Sequence, residues 1–374
     1  MKNNENNIFA YVKAPRYSNL ELYRIICMFL IVAHHYVVNS GVMELMNEDS
    51  SSANSIFLYI FGMWGKTAIN CFLMITGYFM CTSKITLKKF LKLILCIYFY
   101  KLIIFSIFLM TGYESITIMR LFKLLMPVWG FESNFISCFI GFWLGIPFLN
   151  ILIHNMSKRQ HLLLLLLSIG MNTILGSIPG FDIAMNYVTW FSIIYLIASF
   201  IRIYPETTIL IKQKKITFYS TKLWFWMSLI SVFSAIISVV FFVVVLPQVG
   251  LSYFAYFFVF DSNKLFAVLV AITTFLWFKN INLNYNKIIN TIGASTFGVF
   301  LIHANSNAMR QWLWKDFIDV SSHYSLPLLH VVLFSICVVL SVFVVCSIID
   351  LFRVKYIEPF YMKLFSKIFK LNNS

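Results

Sequence analysis

The sequence predicts an all-α, polytopic integral membrane protein of about ten transmembrane helices, with both termini in the cytoplasm. Three observations carry this. The 374-residue chain is 60% hydrophobic and only 11% charged, whereas soluble domains are about 25% charged. Mean hydropathy is +0.83. Ten apolar segments of helical length recur, at roughly 19–38, 56–80, 88–111, 134–153, 162–177, 185–203, 223–246, 262–278, 291–309 and 326–350. The basic residues then give the orientation. Of the 29 Lys and Arg, 22 fall in the predicted cytoplasmic loops and ends and five in the outer loops, with Lys66 and Lys101 inside spans.

Taken in order, residues 1–18 read as a polar, Asn-rich cytoplasmic segment. The first span follows Lys13 and Arg16 but lacks a cleavage site and contains His34 and His35, so it reads as retained. Gly62, Gly65 and Lys66 interrupt the second span, which suggests a turn followed by a shorter inserted helix. The fifth span is short. Residues 19–350 form one transmembrane domain, and 351–374 a basic cytoplasmic tail.

A net charge of +15 raises the question of nucleic acid. The basic residues lie in short loops between apolar spans, so they report membrane orientation and nucleic acid is not a predicted partner. The seven cysteines include no C-x-x-C pair. They form neither a disulfide framework nor a zinc site, and no metal is expected.

Titratable groups inside a membrane span are costly and point to function. Arg24 and His35 are eleven residues apart. At about 100° per residue they share one helix face to within ~20°, separated by a rise of ~16 Å. His34 points ~80° away from that line, and Glu21, one turn before Arg24, points back toward it. An arginine that grips phosphates at one end and an imidazole general base at the other suit group transfer across a bilayer. His303, in the ninth span, is expected at a depth similar to His35, with Asn305 beside it and Arg310 at the outer mouth. Lys66 and Asn70, four residues apart, are expected on one polar face. Lys88, Lys89 and Lys92 suit anionic lipid head groups or the phosphates of a nucleotide-like cofactor. Lys212, Lys214 and Lys215 read as orientation charges.

Three motifs now stand in order: Arg24-x10-His35, Ile75-Thr-Gly-Tyr78 and Phe297-Gly-Val-Phe-Leu-Ile-His303. Together they resemble the acyltransferase-3 family of membrane-bound acyltransferases. Asn19-Leu-Glu-Leu-Tyr-Arg24, Trp190-Phe-Ser-Ile-Ile-Tyr195 and Leu301-Ile-His-Ala-Asn305 resemble its bacterial surface-polysaccharide O-acetyltransferase branch. The resemblance covers roughly residues 17–320. It implies a cytoplasmic acyl-CoA donor, usually acetyl-CoA, and a sugar hydroxyl of a lipid-linked or exported glycan as acceptor. The expected location is the cell membrane, with other glycan-assembly membrane proteins as further partners.

By position, the resemblance makes His35 the catalytic base or acyl relay, and puts Arg24 in the catalytic set as the residue needed for donor binding or for holding the site. Lys89 and Lys92 stand where relatives often carry a basic pair of arginines. Glu21 and His303 join the catalytic set, and Asn70, Lys66, Asn305 and Arg310 the acceptor-binding set, with the Asn70 amide a candidate for stabilising the oxyanion. Some positions depart from the family pattern. Ala304 replaces an acid in the His-Asp-Asn motif, Asn134-Phe135 a Trp-Phe pair, and Phe139 a tyrosine. Two other functions fit many apolar spans with a few buried polar groups: a polysaccharide or small-solute transporter or flippase, and a structural member of a glycan-assembly complex. No repeated halves with interrupted helices favour transport.

Overall fold

The computed structural model describes residues 17–126, 128, 134–181, 183–206, 208–211, 214–249 and 254–368. Most of the expected N-terminal segment, the last residues of the tail, and Lys2, Lys13, Arg16, Lys212 and Lys370 lie outside these.

The helices run in the order α1 (Ser18–Val38), α2 (Val42–Glu48), α3 (Ala53–Gly62), α4 (Gly65–Met80), α5 (Leu87–Met110), α6 (Ile118–Leu125), α7 (Phe135–Asn155) and α8 (Lys158–Ile169). They continue as α9 (Tyr187–Ile203), α10 (Thr221–Val240), α11 (Leu246–Gln248), α12 (Leu265–Asn280), α13 (Lys287–His303), α14 (Asn307–Gln311), α15 (Leu328–Phe352) and α16 (Glu358–Ile368). Polar residues next to the apolar runs set where several begin. Thr86, Asn134, Asn186 and Asn286 each accept a backbone N–H of the first turn, and Ser157 with Gln160 closes a reciprocal cap on α8.

Among the described residues, seven helical runs are long and apolar enough to cross a membrane, and a bent pair makes an eighth. The apolar α9 and α12 are shorter, at 17 and 16 residues. Each of the ten expected segments contains a helix, but three differ from expectation. The second does break at Met63–Trp64, yet α3 and α4 continue as one 28-residue run. The ninth is not straight. Its helix stops at His303, and the chain turns by 93° into the following helical stretch. Ser306 causes the restart by accepting the Met309 N–H at 3.1 Å, capping the new helix. The helix of the tenth runs through residue 350 into a π-turn and α16, so the expected tail begins inside a continuous helical run. One non-helical element was not expected. An antiparallel hairpin pairs β1 (Thr208–Ile211) with β2 (Lys214–Thr217), with Thr208 opposite Thr217.

α1 is the centre of the bundle and packs against α3, α4, α12, α13 and α15. Two glycines allow this. A methyl at Gly65 would strike the His34 ring, and one at Gly293 the Glu21 carboxylate. Large apolar side chains such as Ile107, Phe148, Ile237 and Leu329 are exposed around the outside, as a lipid-facing surface requires.

Candidate active site

The face of α1 predicted from spacing opens onto two cavities. Arg24 lines a chamber of about 250 Å³ that is otherwise mostly apolar, with Met28, Thr76 and Phe297. His35 lines a second chamber of about 760 Å³. Ile31, Ile69, Phe135 and Phe300 line both, so an apolar collar separates the arginine from the imidazole.

Glu21 Oε1 and Oε2 each lie 3.2 Å from Arg24 Nη1. The carboxylate is buried and lines neither chamber. Its place is beside the guanidinium, away from both chambers.

His35 Nδ1 is 2.9 Å from His303 Nε2, and His303 Nδ1 is 2.7 Å from the Val299 carbonyl. A carbonyl only accepts, so His303 Nδ1 carries its hydrogen. In a neutral ring Nε2 is then the acceptor, and His35 must donate from Nδ1. This fixes the His35 tautomer and leaves its Nε2 lone pair as the basic nitrogen, with no protein partner among the described residues. The Val299 carbonyl thus orients His303 without an acid at position 304. His303 is the last residue of α13, and His35 lies in the last turn of α1. Both therefore sit at the negative end of a helix dipole, which favours a positive charge gained by the pair. Phe300 packs beside both rings, with centroids 6.2 Å from His35 and 6.1 Å from His303.

His34 also touches the larger chamber, but its Nδ1 bonds the Gly62 carbonyl at 2.6 Å. It fastens α1 to the break before α4, in keeping with its direction away from the Arg24 line.

The other expected residues divide. Lys66, Asn305 and Arg310 line the His35 chamber. Lys66 bonds the Tyr187 hydroxyl and lies 3.7 Å from Asp261. Asn305 bonds the Leu301 carbonyl at 2.9 Å. Asn70 is fully buried and lines neither chamber. Its amide donates to the carbonyls of Ser262 (2.6 Å) and Ala267 (3.3 Å) and accepts from Trp190 Nε1 at 2.9 Å. Its place is therefore to join α4 to α9 and α12, and no part of it is turned to an oxyanion.

Lys92 pairs with Glu358, itself bound to a buried Arg353 that also holds Asp350 at 2.8 Å. That network ties α16 to the bundle and takes Lys92 out of the expected donor site. Lys89 bonds the Lys84 carbonyl at 2.8 Å and is exposed. Neither lysine lines the Arg24 chamber. Lys101, Lys123 and Tyr187 do line the His35 chamber, and sequence reasoning missed them. Lys101 carried a signal, being a lysine deep in an apolar run.

A family profile for an acyltransferase domain matches residues 17–350. The chain belongs to the acyltransferase-3 family. With its apolar helices, that makes it a multi-pass membrane acyltransferase. No curated protein and no solved structure matches it. Within the acyltransferase domain fall both chambers, the Arg24–Glu21 pair and the His35–His303 pair.

Proposed function

We propose that this acyltransferase moves an acyl group, acetyl in the first instance, from cytoplasmic acyl-CoA to a sugar hydroxyl of an exported or lipid-linked surface glycan. The observation that carries this reading is the His35–His303–Val299 chain, with His35 on the wall of the larger chamber. Donor and acceptor enter from opposite faces of the membrane. The Arg24 chamber, about 250 Å³, is small beside ordinary ligand sites and suits the acyl-bearing end of the CoA arm. Arg24 holds a phosphate, and the nucleotide stays at the mouth. The acceptor hydroxyl sits in the His35 chamber.

The thioester carbonyl passes the collar. His35 Nε2 removes the hydroxyl proton as the oxygen attacks that carbonyl. The tetrahedral intermediate collapses, the carbon–sulfur bond breaks, and the CoA sulfur takes the proton back from Nε2. The products are the O-acyl ester and free CoA. During attack the imidazolium is stabilised by His303 and by two helix C-termini. Until the thioester passes it, the apolar collar keeps the water of the larger chamber away, which limits hydrolysis before the acceptor is bound.

Nuclear magnetic resonance of surface glycans from wild-type and deletion cells tests the reading. The expected result is loss of O-acyl signals while the glycan is still exported. Loss of export with O-acylation intact would favour a transporter instead.

A further inference from the structure

We propose that the acceptor is anionic, a glycan bearing a phosphate or diphosphate ester, and that the His35 chamber holds this group on Arg310 and Lys101. This rests on the transferase reading for the word acceptor, but the anion site itself stands on geometry. Four cations line the chamber: Lys66, Lys101, Lys123 and Arg310. No Asp or Glu is among its described lining residues. Asp261 reaches Lys66 at 3.7 Å from outside that lining.

Lys101 lies within the 24-residue apolar α5. Its Nζ donates to the carbonyls of Lys123 (2.6 Å) and Met126 (3.1 Å), at the end of α6. Arg310 donates to the Ala304 carbonyl at 3.4 Å and to Asn307 Oδ1 at 3.3 Å. Its Nε is buried without a partner. Neither cation meets a carboxylate among the described residues.

Cations gathered on a concave, low-dielectric wall repel one another and focus a positive potential. A neutral sugar hydroxyl needs no such wall. The donor's phosphates do not account for it either, because Arg24 lies beyond the collar in the other chamber. A phosphate with its several acceptor oxygens fits a guanidinium fork together with an ammonium.

The test is a binding measurement on the full-length protein in nanodiscs of neutral lipid, without donor, at about 0.15 M salt. The probes are inorganic pyrophosphate and farnesyl diphosphate. Saturable binding of pyrophosphate is expected, weakened about tenfold or more in R310Q and in K101Q. The charge-keeping K101R should retain most of it, and R310K, which keeps the charge without the fork, should bind more tightly than R310Q, which separates charge from folding. Tighter binding of farnesyl diphosphate than of pyrophosphate identifies a lipid-linked acceptor, and equal binding a phosphorylated polymer. Absence of saturable wild-type binding, or losses below about threefold in both glutamine variants, overturns the proposal. Acyl transfer is assayed separately. Anion binding without transfer sinks the transferase reading and leaves the site standing, while transfer without anion binding does the reverse.

Discussion

His35 Nδ1 donates to His303 Nε2 across 2.9 Å, joining the last turn of the first transmembrane helix to the end of the helix that precedes the 93° bend. In the proposed mechanism, two histidines far apart in sequence act as one base. His303 receives its hydrogen-bonding sense from the Val299 carbonyl, and His35 receives its own from His303.

This predicts a graded response at His303. In H303A the His35 ring loses its acceptor, and kcat is expected to fall about a hundredfold with little change in the KM of either substrate. H303Q, which can still present an oxygen to His35 Nδ1, should recover to within about tenfold of wild type. Steady-state kinetics on purified protein checks both. An H303Q variant as dead as H303A would mean that the ring, not its acceptor role, is required.

Arg24 is predicted to act on the donor alone. R24A should raise the KM for acyl-CoA by about tenfold or more, in line with losing one charge-assisted contact. R24K keeps the charge but not the fork, so it should recover only partly. E21Q should move the same parameter less, since Glu21 orients the guanidinium. Kinetics with the acceptor held saturating would read these effects, and an unchanged donor KM in R24A would contradict them.

Asn70 is predicted to matter for stability rather than turnover. N70A takes away the Asn70 partner of Trp190 Nε1 and of the buried Ser262 carbonyl, while the Ala267 carbonyl keeps its bond within α12. Each such loss costs about 1–3 kcal/mol. Thermal unfolding in detergent should show a clear drop in Tm, while the folded fraction turns over near the wild-type rate.

Gly65 is predicted to tolerate no side chain. G65A places a methyl against the His34 ring, which bonds the Gly62 carbonyl and fills the space. Overpacking of this kind costs about 1–3 kcal/mol. Comparing Tm and transfer rate for G65A with those of a G145A control, at a site open to its surroundings, isolates the contact.

Much of this site was legible in the sequence because helical periodicity is rigid. Eleven residues fix the relative direction of Arg24 and His35 whatever surrounds them. His303 was legible as an imidazole at matching depth. Its orienting partner was not, because a backbone carbonyl such as that of Val299 has no residue signature. Ala304 drew attention to a missing acid when the acceptor lay one turn earlier. Asn70 and Lys92 were misplaced for a related reason. Spacing shows which helix face a polar residue occupies, but not which helix packs there. Asn70 faces α9 and α12, and Lys92 meets Glu358 from beyond the last long span. The Lys101 ammonium reaches the Lys123 and Met126 carbonyls only when α6 folds back onto α5, a contact between two helices with no periodic trace.

In the proposed mechanism His35 is the base of the acyl transfer. The most direct measurement is the rate of labelled acetyl transfer from acetyl-CoA to the native glycan in membranes carrying wild-type, H35A or H35Q protein at matched levels. The predicted result is a loss of about a hundredfold or more in both variants. Transfer by H35A at the wild-type rate would contradict it.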